Sequence, residues 1–216
     1  MKQILSAFDR DLLDKRIAEA EIQTNAQIVV ATVNRCDNYA EIPWKAFAIG
    51  ASLAGLAVVT ADLAMNNRVI DIMLLLSVSA VLATGTLMAL LTLIFKGFAR
   101  LFLPKSRRET ETRQYAESLF LSRELFTTEA RKGILLLVSE FEHQVVILPD
   151  TGVRKWLSAD IMKDIISKMT PHLSRNEVKN AIMTGLDELV TALSPPLAEG
   201  PDRNELSNKI IEEDGV

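Results

Sequence analysis

Two long stretches of the chain lack charged side chains and have no polar face at helical spacing. The first runs from Ala46 to Ala61 and continues past Asp62 to Met65, and the second runs from Ile72 to Phe95. Helices over 46–65 and 72–95 would be about 30 to 36 Å long, which matches the hydrocarbon core of a bilayer. Two buried core helices are the alternative, but a soluble domain of this size cannot cover both on all sides. The pattern therefore predicts two membrane spans.

The two spans are separated by a short polar link that contains Asn66 to Arg68. A link of this length predicts an antiparallel helical hairpin. Small residues recur within both spans, and such residues let helices approach closely in lipid. They are Ala46, Gly50 and Ala54 in the first span, and Ser77, Gly85 and Ala89 in the second. The alternative, that alanine and glycine are simply common in spans, stays open.

Shorter apolar patterns on both sides of the hairpin predict a mixed α/β unit. The predicted elements are a helix capped by Ser6, a strand over 26–33, a helix from the capping box at 106–109 to about 127, a β-hairpin over 134–139 and 144–148, and helices over 158–169 and 174–193. The element order predicts an α/β sandwich with a small central sheet flanked by helices, in which the first strand joins the later hairpin.

This order divides the chain into four parts. Residues 1–42 and 106–194 form one split α/β domain, which is interrupted by the two-helix transmembrane hairpin within 43–98. A basic juxtamembrane segment spans 96–108, and residues 195–216 form a flexible tail, because Pro195 and Pro196 are followed by a polar, acidic end.

Composition excludes several protein classes. The 216 residues are 49% hydrophobic, carry a net charge of −4, and include one cysteine and two histidines. A single cysteine cannot form an internal disulfide, and with two histidines it cannot supply a conventional zinc site. The negative net charge gives no overall attraction to nucleic acid. No nucleic-acid partner is expected.

Cations cluster beside the ends of the spans that face the rest of the chain. The residues that we expect at the membrane interface are Trp44, Lys45, Lys96, Arg100, Lys105, Arg107 and Arg108, whereas the link contains Arg68 alone. Cations near spans favour the cytoplasmic side, so the domain and both termini are predicted to lie in the cytoplasm. The partners implied are the lipid bilayer and its anionic headgroups.

The sequence offers one weak candidate for chemistry, which is acidic. Glu142 and Asp150 are eight residues apart on a strand, about 26 Å, and cannot share an ion. Asp150 could instead meet Asp37, which follows the first strand, at an edge of the sheet where sites often form. Carboxylate oxygens would favour calcium or magnesium. The alternative is that Asp150 only forms the turn before Gly152. No cofactor is otherwise predicted.

Several segments together resemble the TPM domain family. The resemblance is carried by Ile17 to Val33, by the helix from Tyr115 to Thr128, and above all by Lys132 to Gly152 (KGILLLVSEFEHQVVILPDTG). An uncharacterised bacterial branch of membrane proteins is closer still, since its members share an apolar hairpin after a segment like Asn34 to Tyr39 and a closing motif like Asn204 to Leu206.

The resemblance implies a TPM α/β fold. Relatives are similar to assembly and accessory factors of membrane complexes, while acid phosphatase activity and calcium binding are suggested for the plant members. One departure is the turn that usually reads Glu-Arg in the family, which here is Glu142-His143. Any anion-holding role of that arginine is therefore in doubt for this chain.

These observations lead to two hypotheses. The first is a non-enzymatic interaction or assembly module, anchored on the cytoplasmic face of a bacterial plasma membrane and bound to another membrane protein or complex. The second is a divalent-metal-assisted acid phosphatase that uses Asp150. A transporter fits less well, because two spans without an internal charge offer no pathway.

Overall fold

The computed structural model describes residues 5–65, 71–128, 130–197 and 208–215. The chain forms two compact units, one from residues 1–37 and 106–216, the other from residues 38–105. The link residues 66–68 and the motif at 204–206 lie outside the described ranges.

Within the described residues, the first unit contains four strands, four α-helices and a short 3₁₀ turn. In chain order these are α1 (Ala7–Thr24), β1 (Gln27–Val33), the helix Lys105–Ser122, a 3₁₀ turn (Leu125–Thr127), β2 (Gly133–Ser139), β3 (Gln144–Pro149), the helices Ala159–Ser174 and Val178–Leu197, and β4 (Ile211–Glu213). The second unit contains α2 (Glu41–Met65), α3 (Asp71–Ile94) and α4 (Lys96–Arg100). The helices of the first unit are therefore α5, α6 and α7 in chain order.

The sheet has the order β3-β2-β1-β4. β1 pairs in parallel with both β2 and β4, and β2 pairs antiparallel with β3. All seven residues of β1 and of β2 are buried, as expected for strands covered on both faces. A parallel pair needs a crossover connection, and α5 supplies it between β1 and β2.

Helices cover both faces of the sheet. On one face α1, α6 and α7 pack on β1 and β2 with apolar side chains such as Ile17, Met169 and Leu186. On the other face Ala116 and Leu119 of α5 pack on the opposite side of the same strands. The expected α/β sandwich with a small central sheet is confirmed.

Local signals also predicted several elements correctly. The Ser6 side chain accepts a hydrogen bond from the Asp9 N–H at 3.1 Å and caps α1 as expected. The hairpin of β2 and β3 is present, and Pro149 ends its second strand.

The predicted end of α6 at Thr170 and Pro171 is wrong, because the helix continues to Ser174 with Pro171 inside it. Proline removes one main-chain hydrogen bond from a helix. The extra turn places Leu173, which is 1% exposed, in the core next to Met169. Burial of this leucine contributes about 2 kcal/mol and offsets the lost bond. α7 likewise runs to Leu197 rather than to Leu193.

The expectation of a flexible tail over 195–216 is wrong for its last part, because β4 pairs with β1. Two acidic side chains of β4 contact opposite layers of the sandwich. Glu212 accepts hydrogen bonds from the Leu5 N–H at 3.1 Å and from Arg10 at 2.6 Å, and Glu213 pairs with Arg123 at 3.0 Å. The acidic residues that suggested a solvated tail are the ones that hold this strand in place.

We predict that Glu212→Ala lowers the free energy of unfolding by about 1 to 3 kcal/mol, because it leaves the Leu5 N–H and the Arg10 guanidinium without their acceptor. Urea unfolding of the full chain in detergent micelles measures the change. Asp214→Ala is the matched control, since Asp214 is an exposed carboxylate two residues along. Equal effects of the two substitutions would contradict the role assigned to Glu212.

In the second unit, α2 and α3 are long and apolar enough to cross a membrane, over Glu41–Ala64 and Leu74–Ile94. They pack against each other at two glycines. A Cβ atom on Gly50 would lie 2.8 Å from Met88 Cγ, and one on Gly85 would lie 2.9 Å from the Phe47 ring. A Cβ atom on Gly55 would meet nothing within 4 Å. Gly50 and Gly85 therefore sit at the close approach of the two helices.

We predict that Gly85→Ala weakens the hairpin, whereas Gly55→Ala does not. Both substitutions gain the same helix propensity, about 1 kcal/mol, so their difference reports packing alone. SDS titration followed by the fluorescence of Trp44, in a Trp156→Phe background, gives the midpoint for each variant. Identical midpoints would show that the contact between Gly85 and Phe47 does not hold the helices together.

Candidate functional site

The structure separates the two carboxylates that were candidates for a shared ion. Val33 at the end of β1 is level with Ser139 at the end of β2, and Asp37 follows Val33 by four residues. Asp150 follows β3 at the other end of the sheet, where Pro149 pairs with Ile134. The two ends of these strands are about 20 Å apart. The expected joint site of Asp37 and Asp150 is therefore wrong.

Each of these carboxylates also has its own partners. Asp150 is 4% exposed, forms an ion pair with Arg131 at 2.9 Å, and accepts the Thr151 N–H at 2.6 Å. Asp37 pairs with Arg107 at 3.0 Å. Within the described ranges, no three histidine, cysteine, aspartate or glutamate side chains come together as a metal-binding group. Asp37 and Asp150 therefore do not form a shared carboxylate site, and each is paired with an arginine instead.

Asp150 has the geometry of a turn former. Its carbonyl oxygen accepts the N–H groups of Val153 and Arg154, both at 3.1 Å. A Cβ atom on Gly152 would lie 2.4 Å from the Ala130 carbonyl oxygen, so only glycine fits there. The pair with Arg131 then ties this turn to the segment that precedes β2.

A buried polar cluster lies at the carboxyl ends of the parallel strands β1 and β2. Glu142 is 0% exposed, and its carboxylate accepts the Cys36 N–H at 2.9 Å and the Ser139 hydroxyl. The turn between β2 and β3 also bonds to the exit of β1, because the N–H of Phe141 reaches the Asn34 carbonyl at 3.0 Å. A buried charge needs several such donors to be tolerated. Glu142 therefore fixes the path of the chain as it leaves β1.

One thiol and one phenolic hydroxyl in this region are protonated at neutral pH. Burial raises the pKa of the Cys36 thiol to about 12, and the Glu142 carboxylate adds to the rise. Burial, followed by the Glu213 charge, likewise raises the pKa of the Tyr115 hydroxyl to about 12. Neither group is a nucleophile at neutral pH, because the reactive form is the anion.

The residues that were expected at the membrane interface occupy several positions. Trp44 is 74% exposed on α2 and meets the Phe47 ring edge-on at 6.5 Å, and Lys45 lies 3.7 Å from Glu41. Lys96 and Arg100 are the first and last residues of α4, and Lys105, Arg107 and Arg108 form the start of α5. Arg107 is paired with Asp37 in the first unit.

An open groove follows β3, the strand at one edge of the sheet. Its volume is about 870 Å³, within the range of ligand-binding clefts. All six residues of β3 line it, and helices α5 and α6 form its two walls. The apolar wall residues are Phe120, Leu121, Leu157, Met162 and Ile166, and the charged ones are Glu109, Arg113, Glu117, Arg154 and Lys163.

Sequence reasoning missed both the cluster around Glu142 and the groove. The cluster could have been suspected from the spacing of Ser139 and Glu142, which places a donor and an acceptor on the same tight turn. The groove could not have been predicted from the sequence, because it depends on the distance between α5 and α6 over the edge strand. That spacing is a property of the packed layers.

Comparison with known proteins supports the resemblance to the TPM domain. The sequence profile of the TPM domain matches residues 100–192. The NMR structure of the BA42 protein from the psychrophilic bacterium Bizionia argentinensis is similar over 99% of this chain and 98% of its own, with a TM-score of 0.59 and 14% identity. At that identity the likeness shows the fold alone. No curated protein matches the sequence.

We predict that Cys36, the only cysteine of the sequence, is alkylated by iodoacetamide at pH 8 about a thousandfold more slowly than a free thiol. Its folded pKa lies above that of the unfolded chain, so its contribution to stability is complete below about pH 8.5 and is lost as the pH rises toward 12. The rate in urea, which exposes the thiol, is the control. A native rate near that of glutathione would contradict the assignment.

Proposed function

We propose that this chain, which carries a TPM domain, is a membrane-anchored interaction or assembly module. Its α/β unit would work on the cytoplasmic face of a bacterial plasma membrane and bind another membrane protein or complex without catalysing a reaction. The observation that carries the proposal is the exposed apolar surface of α2 and α3.

Most side chains of these helices have no protein to cover them. In the most apolar stretches of α2 and α3, 11% and 6% of the residues are buried. Leucines such as Leu56, Leu75 and Leu93 are each more than half exposed. Exposed apolar patches on soluble monomers rarely exceed a few hundred Å², and larger ones indicate a partner or a membrane. A lipid bilayer supplies the missing cover over the full length of both helices.

Charge favours the cytoplasmic orientation of the domain. Lys45 precedes the apolar part of α2, and Lys96 and Arg100 follow α3, so the cations lie at the hairpin ends that join the α/β unit. Lys and Arg close to spans are retained on the cytoplasmic side. With an even number of spans, both termini would then share that side.

Binding is favoured over catalysis by the state of the polar groups. Asp37 and Asp150 are at opposite ends of the sheet, and the Cys36 thiol is protonated and buried. The accessible feature of the α/β unit is the groove beside β3, whose walls are mainly apolar. Such a surface suits recognition of another chain.

We predict that a green fluorescent protein fused after Val216 fluoresces in a bacterial host, whereas alkaline phosphatase fused at the same place is inactive, because the terminus lies in the cytoplasm. Replacing Lys45, Lys96 and Arg100 together by glutamine should raise the phosphatase signal, since Arg68 in the link then competes for the cytoplasmic side.

The control replaces three cations that are distant in sequence from the spans, Lys155, Lys163 and Lys179, by glutamine, and should leave both signals unchanged. An active phosphatase on the unaltered chain would contradict the proposed orientation. Recovery of the protein in the soluble fraction would contradict the membrane anchor itself.

A further inference from the structure

We propose that the groove beside β3 binds an extended peptide segment of a partner protein, which adds to the sheet as a strand next to β3. The segment carries apolar side chains at alternate positions and an acidic side chain that faces Arg154. This inference rests on the proposed function as a binding module and specifies the chemistry of the partner. Four features of the groove support it.

The first feature is a row of backbone groups that points into the groove. The Asp150 N–H donates to the Gly133 carbonyl at 2.8 Å. In an antiparallel pair, every second residue forms hydrogen bonds with the neighbouring strand. Counting back from Asp150, the β3 residues that form hydrogen bonds with β2 are therefore Gln144, Val146 and Leu148. Val145 and Ile147 therefore direct their N–H and C=O groups away from β2. No described residue forms a backbone hydrogen bond with those groups. Such a row is a template for an added strand.

The second feature sets the length of the added strand. Pro149 follows Val145 and Ile147 in the alternation, so its backbone also faces the groove rather than β2. Proline has no N–H group and therefore offers no donor to the groove. The ladder with β2 loses nothing, which explains why proline is tolerated at this position. Donors for a new strand are consequently available at Val145 and Ile147, and the pairing ends at Pro149.

The third feature selects a peptide over a second copy of this chain. All six residues of β3 line the groove together with residues of α5 and α6, so the edge forms its floor. Paired strands must approach to about 4.8 Å. The β3 of a second copy is equally recessed between its own helices and cannot come that close. A single extended segment without flanking helices can enter.

The fourth feature is charge. On the α5 wall Arg113 and Glu117 already form an ion pair at 2.9 Å, and on the α6 wall Lys163 lies 3.7 Å from Asp160. Arg154, in the turn that precedes α6, is exposed, lines the groove and forms no side-chain ion pair with any described residue. A carboxylate of the bound segment would form an ion pair with Arg154. The groove therefore favours a segment with an acidic side chain at this position.

The test uses the ¹⁵N-labelled full chain in micelles and a synthetic capped octapeptide of alternating valine and threonine with one glutamate near its N-terminus. We expect saturable binding and about tenfold slower hydrogen exchange at the Val145 and Ile147 amides, which gain hydrogen bonds. The amides of Val146 and Leu148 already bond to β2 and should not change. Slower exchange at every second amide distinguishes an added strand from a ligand that only shields the groove from solvent.

Two pairs of variants match the expected contacts. Arg154→Glu should weaken peptide binding about fivefold, while Lys155→Glu, the same charge change one residue along, should not. Lys155 lies over the Trp156 ring at 4.7 Å and does not line the groove. Leu121→Asp should abolish binding, whereas Ile22→Asp on α1 should not. Both side chains are more than 60% exposed, so neither substitution disturbs the core. A peptide N-methylated at its pairing amides should not bind.

Equal binding of the N-methylated peptide, or equal protection of all four β3 amides, would overturn the added strand. Hydrogen exchange at Val145 and Ile147 could also slow as the protein concentration rises, without peptide. That result would assign the edge to a second copy of the chain and overturn the proposal. Failure here leaves the membrane anchor and its orientation intact, because the fusion reporters do not depend on the groove.

Discussion

The parallel pairing of β1 with β2 is the constraint on which the rest of the structure depends. Two parallel neighbours cannot be joined by a tight turn, so the chain must cross back over the sheet, and α5 makes that return. The crossover connection tolerates insertions because it leaves and re-enters at the surface. The apolar hairpin of α2 and α3 occupies this connection, so the sheet register does not depend on it.

The same constraint brings the carboxyl ends of β1 and β2 to one end of the sheet, where the buried Glu142 carboxylate lies. In parallel sheets this edge is where ligands commonly bind. Here the Glu142 carboxylate accepts the Cys36 N–H just beyond β1 and the Ser139 hydroxyl at the end of β2, and so ties the segment that leaves β1 to the turn between β2 and β3. Because Glu142 is fully buried, its carboxylate is not accessible from solvent. The open groove lies instead along the β3 edge.

Sequence patterns sufficed for the features that depend on local or one-dimensional signals. The long apolar runs located α2 and α3, the Ser6 cap located α1, and two short apolar runs four residues apart located β2 and β3. The patterns failed where tertiary contacts outweigh local preference. Leu173 extends α6 beyond Pro171 by gaining burial, and β4 forms from an acidic segment because Arg10 and Arg123 neutralise it. The predicted meeting of Asp37 and Asp150 was wrong because strand direction determines at which end of the sheet each residue lies. That direction cannot be inferred from the spacing of residues along the sequence.

The two edges of the sheet are treated differently, and the difference bears on function. Exposed strand edges promote aggregation, and proteins usually block them with charges, bulges or a covering strand. The β1 edge is covered by β4, whose carboxylates bind to both helical layers. The β3 edge has no inward-pointing charge, and Val145 and Ile147 are apolar. Its protection is the recess between α5 and α6, together with the proline that ends it. A recess excludes large flat surfaces but admits a single strand, so this edge is guarded against aggregation while it stays open to a narrow partner.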